Sequence, residues 1–176
     1  MAEQSAPMPA RPIEHYLEAI GRILKEVLGA GRFELSFAIR KGMLAEDEPE
    51  APEFVVDFTG PDVDLLLEKN GSLLDAFEYV VLRAARLEED LFGRITLDAK
   101  DWRCLRAGEL KLTAQIAAER VIDTGDPFTL QPMSPRERRI VHLALRDLPA
   151  VRTASEGVGS ERKVVIHPAS PPARKR

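Results

Sequence analysis

The chain has 176 residues, 44% hydrophobic and 31% charged, enough for one domain or two small ones, each with a modest core. No apolar run approaches the roughly 20 residues that span a bilayer, and Met1 to Pro9 has neither the basic nor the apolar region of a signal peptide; a cytoplasmic chain with no integral membrane segment is expected. The net charge of -4 is an average over unequal halves: residues 1–101 hold 11 Lys+Arg against 21 Asp+Glu, a net -10, and residues 102–176 hold 14 against 8, a net +6. Phosphate attraction is local, screened within roughly 10 Å at about 0.1 M salt, so the basic half is the electrostatic candidate for nucleic acid. The single cysteine, Cys104, has no partner for an intramolecular disulfide and no Cys or His at ligand spacing, and reads as a bystander thiol.

In chain order, residues 1–12 are proline-rich and nearly devoid of large apolar groups, and read as a disordered leader. From Ile13 to Leu28 the apolar positions Leu17, Ile20, Ile23, Leu24, Val27 and Leu28 recur at helical spacing, with Gly29 and Gly31 as stop signals. Phe33, Leu35, Phe37 and Ile39 alternate as in a strand, and Phe54 to Phe58 form a second. Between them Ala45 to Glu53 is too acidic and proline-rich for a buried strand and reads as a solvated loop. A short helix over Pro61 to Leu67 and a longer one over Ser72 to Asp90 are separated at Gly71, and Arg94 to Asp98 is a third strand. This order predicts an α+β fold, with helices on one face of a sheet.

The second half opens with a helix over Leu105 to Ile122, ended by Thr124-Gly125-Asp126-Pro127. Strands are predicted at Phe128 to Leu130, Val151 to Ser155 and Lys163 to Ile166. Between the first two, Ser134 can cap a helix, Pro135 suits its first turn, and Glu137 can bond back to the cap. Arg138 and His142, four residues apart, then share one face of that helix. Ile140, Val141, Ala144, Leu145 and Leu148 supply its apolar stripe. Residues 169–176 read as a flexible basic tail.

Arg138-x-x-x-His142, within Gln131-Pro132-Met133-Ser134-Pro135-Arg136-Glu137-Arg138-Arg139-Ile140-Val141-His142 and followed by Ser155-Glu156-Gly157 and Arg162-Lys163-Val164-Val165-Ile166, resembles the domain named for an arginine and a histidine with three residues between them, the R-three-H domain. In bacteria that domain occurs in Jag-type proteins, after a KH domain. The first half resembles a type II KH domain, with Glu68-Lys69-Asn70-Gly71 at the place of its GxxG loop and Leu74-Asp75-Ala76-Phe77-Glu78-Tyr79 as the helix that follows. The resemblance implies a KH-like domain at 13–101 and an R-three-H domain at 102–168, the latter a small three-stranded sheet carrying two helices. It further implies binding of single-stranded nucleic acid, chiefly RNA and also single-stranded DNA. This sequence departs from the KH pattern at the first glycine, where Glu68 puts a carboxylate in place of close backbone approach to phosphate.

The candidate contacts follow from charge and from these motifs. Arg138 could hold a phosphate by a bidentate fork and His142 by a hydrogen bond that depends on protonation. Arg136, Arg139, Arg152, Arg162 and Lys163 could complete one basic surface that tracks the backbone without reading sequence. Ser155, in Ser155-Glu156-Gly157, could meet a sugar or phosphate, and Lys69 and Gly71 are the residues of the KH-like loop still suited to phosphate. Base-stacking surface is scarce: of one Trp, two Tyr and seven Phe, most Phe occupy core positions, and Trp102 is more plausibly packed between domains than stacked on bases. Neither GxxxxGK[ST] nor HExxH occurs; His15, His142 and His167 are too dispersed for a metal site, and Ser155, His142 and Asp147 lack nucleophile-elbow context. No enzyme activity, metal or cofactor is expected. The alternative reading is a protein-interaction adaptor in which the KH-like half docks a protein partner or a second copy, with nucleic acid incidental.

Overall fold

The computed structural model describes residues 12–42 and 51–169, and the chain divides into two compact units, Met1–Trp102 and Arg103–Arg176. The leader before Pro12, most of the acidic loop (residues 43–50) and the tail from Ser170 onward lie outside the described residues.

In the first unit, α1 (Glu14–Gly31) buries Ile20, Leu24 and Leu28 of the stripe its spacing predicts, with Leu17, Ile23 and Val27 only partly buried and Tyr16, not read as part of it, buried as well. It runs through Gly29, contrary to that residue's reading as a stop, and ends at Gly31 as read, with the left-handed position just after it on Arg32, φ 54°. Strands β1 (Ser36–Lys41) and β2 (Phe54–Thr59) pair antiparallel, and β3 (Ile95–Ala99) lies parallel to β2 on its other side. The central strand β2 is accordingly buried over most of its length. Its Phe58 stacks edge-on with Phe37 and Phe77, and Phe77 with Phe33, so four of the phenylalanines are core residues as expected. The exposed edge of β3 is closed by α2 (Val63–Ala84): Glu78 accepts from the Leu97 amide at 2.8 Å and from the Thr96 hydroxyl at 2.7 Å. The longer helix expected to reach Asp90 ends six residues earlier, at Ala84, and a 3-10 turn at Glu89–Leu91 leads into β3.

The break predicted within α2 is present. Glu68 is extended and Lys69, Asn70 and Gly71 are all left-handed, with φ of 50°, 59° and 72°. Only glycine adopts that conformation without cost, and Gly71 is further constrained because a β-carbon there would lie 2.6 Å from the Trp102 indole nitrogen. Gly71→Ala is expected to destabilise the first unit by about 1–3 kcal/mol and to shift Trp102 emission to longer wavelength. Equilibrium unfolding followed by tryptophan fluorescence checks both; an unchanged midpoint and spectrum would contradict the packing described.

In the second unit, α3 (Trp102–Thr124) places Leu110, Ala114, Ala117, Ala118 and Val121 against β4 (Phe128–Pro132), α4 (Pro135–Ala144), β5 (Val151–Glu156) and β6 (Lys163–Pro168). The small residues of α3 let the backbone approach the sheet closely. Strand order is β4-β6-β5, all antiparallel, with β5 at an edge and fully buried Val164 and Ile166 of β6 at the centre. Two three-stranded sheets with helices packed on them make the chain α+β, as the element order predicts.

Candidate nucleic-acid interface

The start of α4 is held from both sides. Ser134, extended at φ -62°, ψ 160°, accepts from the Glu137 amide at 3.4 Å, while its own amide donates to Glu137 Oε2 at 2.8 Å; Pro135 fills the first turn. This is the capping box read from the sequence. Glu137 has a second partner that local spacing could not reveal: its Oε1 accepts from Arg106 Nε, 31 residues earlier on α3, at 2.8 Å. Arg106 also donates to Glu109 at 2.8 Å. The Arg106 and Glu137 side chains are only 16% and 13% exposed. Burial opposes the Arg106 charge, but its bonds to the two carboxylates outweigh that and raise its pKa above the usual arginine value. The basic face of α4 is thus oriented by an ion pair as well as by its cap.

Arg138 and His142 lie one turn apart on α4. Arg138 Nη1 donates to the Met133 carbonyl at 3.0 Å, and the Met133 amide donates to the Arg162 carbonyl at 3.1 Å, which brings the Arg162 backbone beside the helix start. His142 lies over β5, with Nδ1 2.6 Å from Thr153 Oγ1 and Nε2 2.9 Å from Ser155 Oγ. The imidazole read as a second phosphate donor therefore has both nitrogens engaged within the unit. Burial, and after it the neighbouring Arg138 charge, lowers its pKa from the usual 6.5. The sign for stability follows: above about pH 6.5 the ring is neutral in both folded and unfolded chains, whereas below it the unfolded chain takes the proton first. Stability of the second unit should therefore fall as pH drops from 6.5 through the lower folded pKa, then level off with respect to this group. Urea midpoints by circular dichroism between pH 8 and 5 check this, and His142→Asn should flatten that part of the profile; an identical slope in the variant would contradict it.

The expected single basic surface is divided. Cross-strand partners in an antiparallel sheet share a face. Thr153 and Ser155 pair with Ile166 and Val164 on the helix side, whereas Arg152 pairs with His167 and Lys163 with Glu156 on the opposite side. Arg152 and Lys163 are therefore separated from Arg138 by the sheet, and Glu156 Oε1 lies 3.3 Å from His167 Nε2 among them. The period-2 alternation of these strands was available in the sequence and would have separated them. On α4, Arg136 lies about 200° round the axis from Arg138 and Arg139 about 100°; both are exposed. Arg138, His142 and Ser155 are the candidates brought together, with the backbone of Arg162 beside the helix start.

The remaining candidates fall elsewhere. Gly71 is buried beneath Trp102, so the glycine expected to admit a phosphate faces an indole instead. Lys69 is exposed on the same break, beside exposed Glu68. Trp102 packs against the core of the first unit. Gly157, with φ 89°, approaches its own chain closely: a β-carbon there would lie 2.8 Å from the Glu161 carbonyl oxygen. Although Ser155 meets His142 as a nucleophile meets a base, the other ring nitrogen is held by a hydroxyl, and Asp147 pairs with Arg146 at 3.5 Å. Among the described residues no helix is long and apolar enough to cross a membrane.

Residues 108–168, from α3 to the end of β6, match the R-three-H domain family. The chain is also similar to curated proteins called RNA-binding protein KhpB. With that of Clostridium symbiosum it is 34% identical over 114 residues, covering 65% of this chain and 51% of the relative. With that of Bacillus subtilis it is 32% identical over 110 residues, covering 61% and 53%. With that of Lactiplantibacillus plantarum it is 33% identical over 102 residues, covering 58% and 32%. The chain thus spans about half the length of the first two of these relatives.

Proposed function

We propose that this chain binds single-stranded RNA, gripping the sugar-phosphate backbone through the Arg138 face of α4. The observation that carries the reading is the fixed geometry of that face. The helix start is locked by its capping box and by Arg106, and Arg138 stands one turn from a histidine seated on β5, within the stretch that matches the R-three-H domain. The RNA-binding relatives support the same reading. A guanidinium suits phosphate because its planar fork pairs with two oxygens and stays charged at every physiological pH.

The first unit would be the KH-like half of this arrangement, over residues 13–101, followed by the R-three-H half over 102–168. Its helix, two strands, broken helix and third strand support that assignment. Its loop is a poor phosphate cradle, since Glu68 is anionic and Gly71 is covered by an indole. That closed loop favours a first unit that contributes structure or a protein contact, and the second unit as the principal RNA surface.

Backbone recognition predicts how binding responds to salt and to sequence. The full chain, titrated with labelled single-stranded RNAs of unrelated sequence, should bind them with similar affinities. With three or four phosphate contacts, log K should fall with log salt at a slope of about -2 to -3. Salt-independent binding, or binding of one sequence alone, would contradict the reading.

A further inference from the structure

His142 has no ring nitrogen left for a ligand, which moves attention to the hydroxyls it holds. A neutral imidazole has one donor and one acceptor nitrogen, so Thr153 and Ser155 take opposite roles toward it, one accepting a proton and the other donating one. Ser155 lies next to the last residue of β5, an edge strand, is only partly buried, and shares the helix side of the sheet with α4. On α4, Arg138 one turn before His142 brings charge close enough to act on the imidazole, and His142 brings orientation.

The chemistry left to Ser155 is that of a neutral hydroxyl with one role already assigned. If it donates to Nε2, its lone pairs remain; if it accepts from Nε2, its proton remains, together with a lone pair. A phosphate oxygen only accepts, so it is served in the second arrangement alone. A ribose 2′-hydroxyl both donates and accepts, so it is served in either, and it is the group that distinguishes RNA from DNA. We propose that Ser155, oriented by His142, contacts the ribose 2′-hydroxyl beside a phosphate held by Arg138, and that preference for RNA over DNA resides in this contact. His142 is then a positioning residue and Ser155 the contacting one. This rests on the backbone-binding reading above and adds to it which sugar is bound.

The test compares two labelled oligonucleotides of one sequence, an RNA and its 2′-deoxy counterpart carrying deoxyuridine, titrated by anisotropy against the full chain at low salt. The wild type should bind the RNA more tightly, by about fivefold for one hydrogen bond. Ser155→Ala should weaken RNA binding by about that factor, leave the deoxy strand unchanged and so remove the preference; Ser155→Thr, which keeps the hydroxyl, should restore it. His142→Asn should reduce the preference too, and in the Ser155→Ala background should reduce it no further. A merely structural role for His142 would weaken both strands alike. Equal wild-type affinity for the two strands, or equal weakening of both by Ser155→Ala, would overturn the proposal while leaving backbone binding intact. No binding of either strand by the wild type would remove the backbone-binding reading and this contact together.

Discussion

Arg138→Ala should weaken binding of every single-stranded RNA tested by about tenfold or more, because a charge-assisted contact to phosphate contributes about 1.5–3 kcal/mol. The loss should be nearly the same for unrelated sequences, since the contact is to backbone and not to bases. One fewer neutralised phosphate should also reduce the magnitude of the salt slope by about 0.7. Arg138→Lys separates charge from geometry: it should recover the slope but only part of the affinity, as an ammonium lacks the planar fork. In the free protein Arg138 donates to the Met133 carbonyl at 3.0 Å, so circular dichroism of each variant must show the fold intact before affinity is compared. Unchanged affinity and slope in a folded Arg138→Ala protein would remove this residue from the interface.

The largest expected effect on stability is at Glu137. One carboxylate completes the capping box and holds Arg106, with both side chains mostly buried. Glu137→Ala removes a cap partner and leaves the guanidinium with Glu109 alone on the rim, at an expected cost of about 2–4 kcal/mol to the second unit. Glu137→Gln, which can still accept from the Ser134 amide, should cost less. Trp102 belongs to the first unit, so tryptophan fluorescence follows that unit alone while far-ultraviolet circular dichroism follows the helices and strands of both. In Glu137→Ala a low-denaturant transition should appear by circular dichroism and be absent from the fluorescence. Coincident, unshifted transitions would show that the ion pair contributes little.

Most of the second unit was legible in the sequence because its signals are local and mutually consistent. Ser134, Pro135 and Glu137 fix one helix start within four residues, and Ile140, Val141 and Ala144 turn inward as read, whereas Leu145 and Leu148, read as the same helical stripe, reach the core from the turn after the helix ends at Ala144. What stayed hidden was long-range. The bond from Arg106 to Glu137 spans 31 positions, and the seating of His142 on Thr153 and Ser155 depends on which strand edge the helix crosses. Grouping Arg152 and Lys163 with Arg138 counted charge without counting faces, and the strand alternation puts them on the other side of the sheet. In the first unit the break at Glu68 to Gly71 was visible as a departure from helical pattern. The reason for its glycine was not, because Trp102 covers it from 31 residues away. Gly29 failed as a stop in α1 because helix propensity is a weak prior, and the buried stripe ending at Leu28 carries the helix past it to its end at Gly31.

The most direct measurement is amide chemical-shift mapping of the full chain as a short single-stranded RNA is added at low salt. Shifts should concentrate at Arg138, His142, Ser155 and Arg162, in proportion to occupancy and reversed by added salt, with Lys69 to Gly71 unmoved. Shifts confined to the Lys69–Gly71 break, or spread over the outer sheet face around Arg152 and Lys163 with α4 silent, would contradict the account.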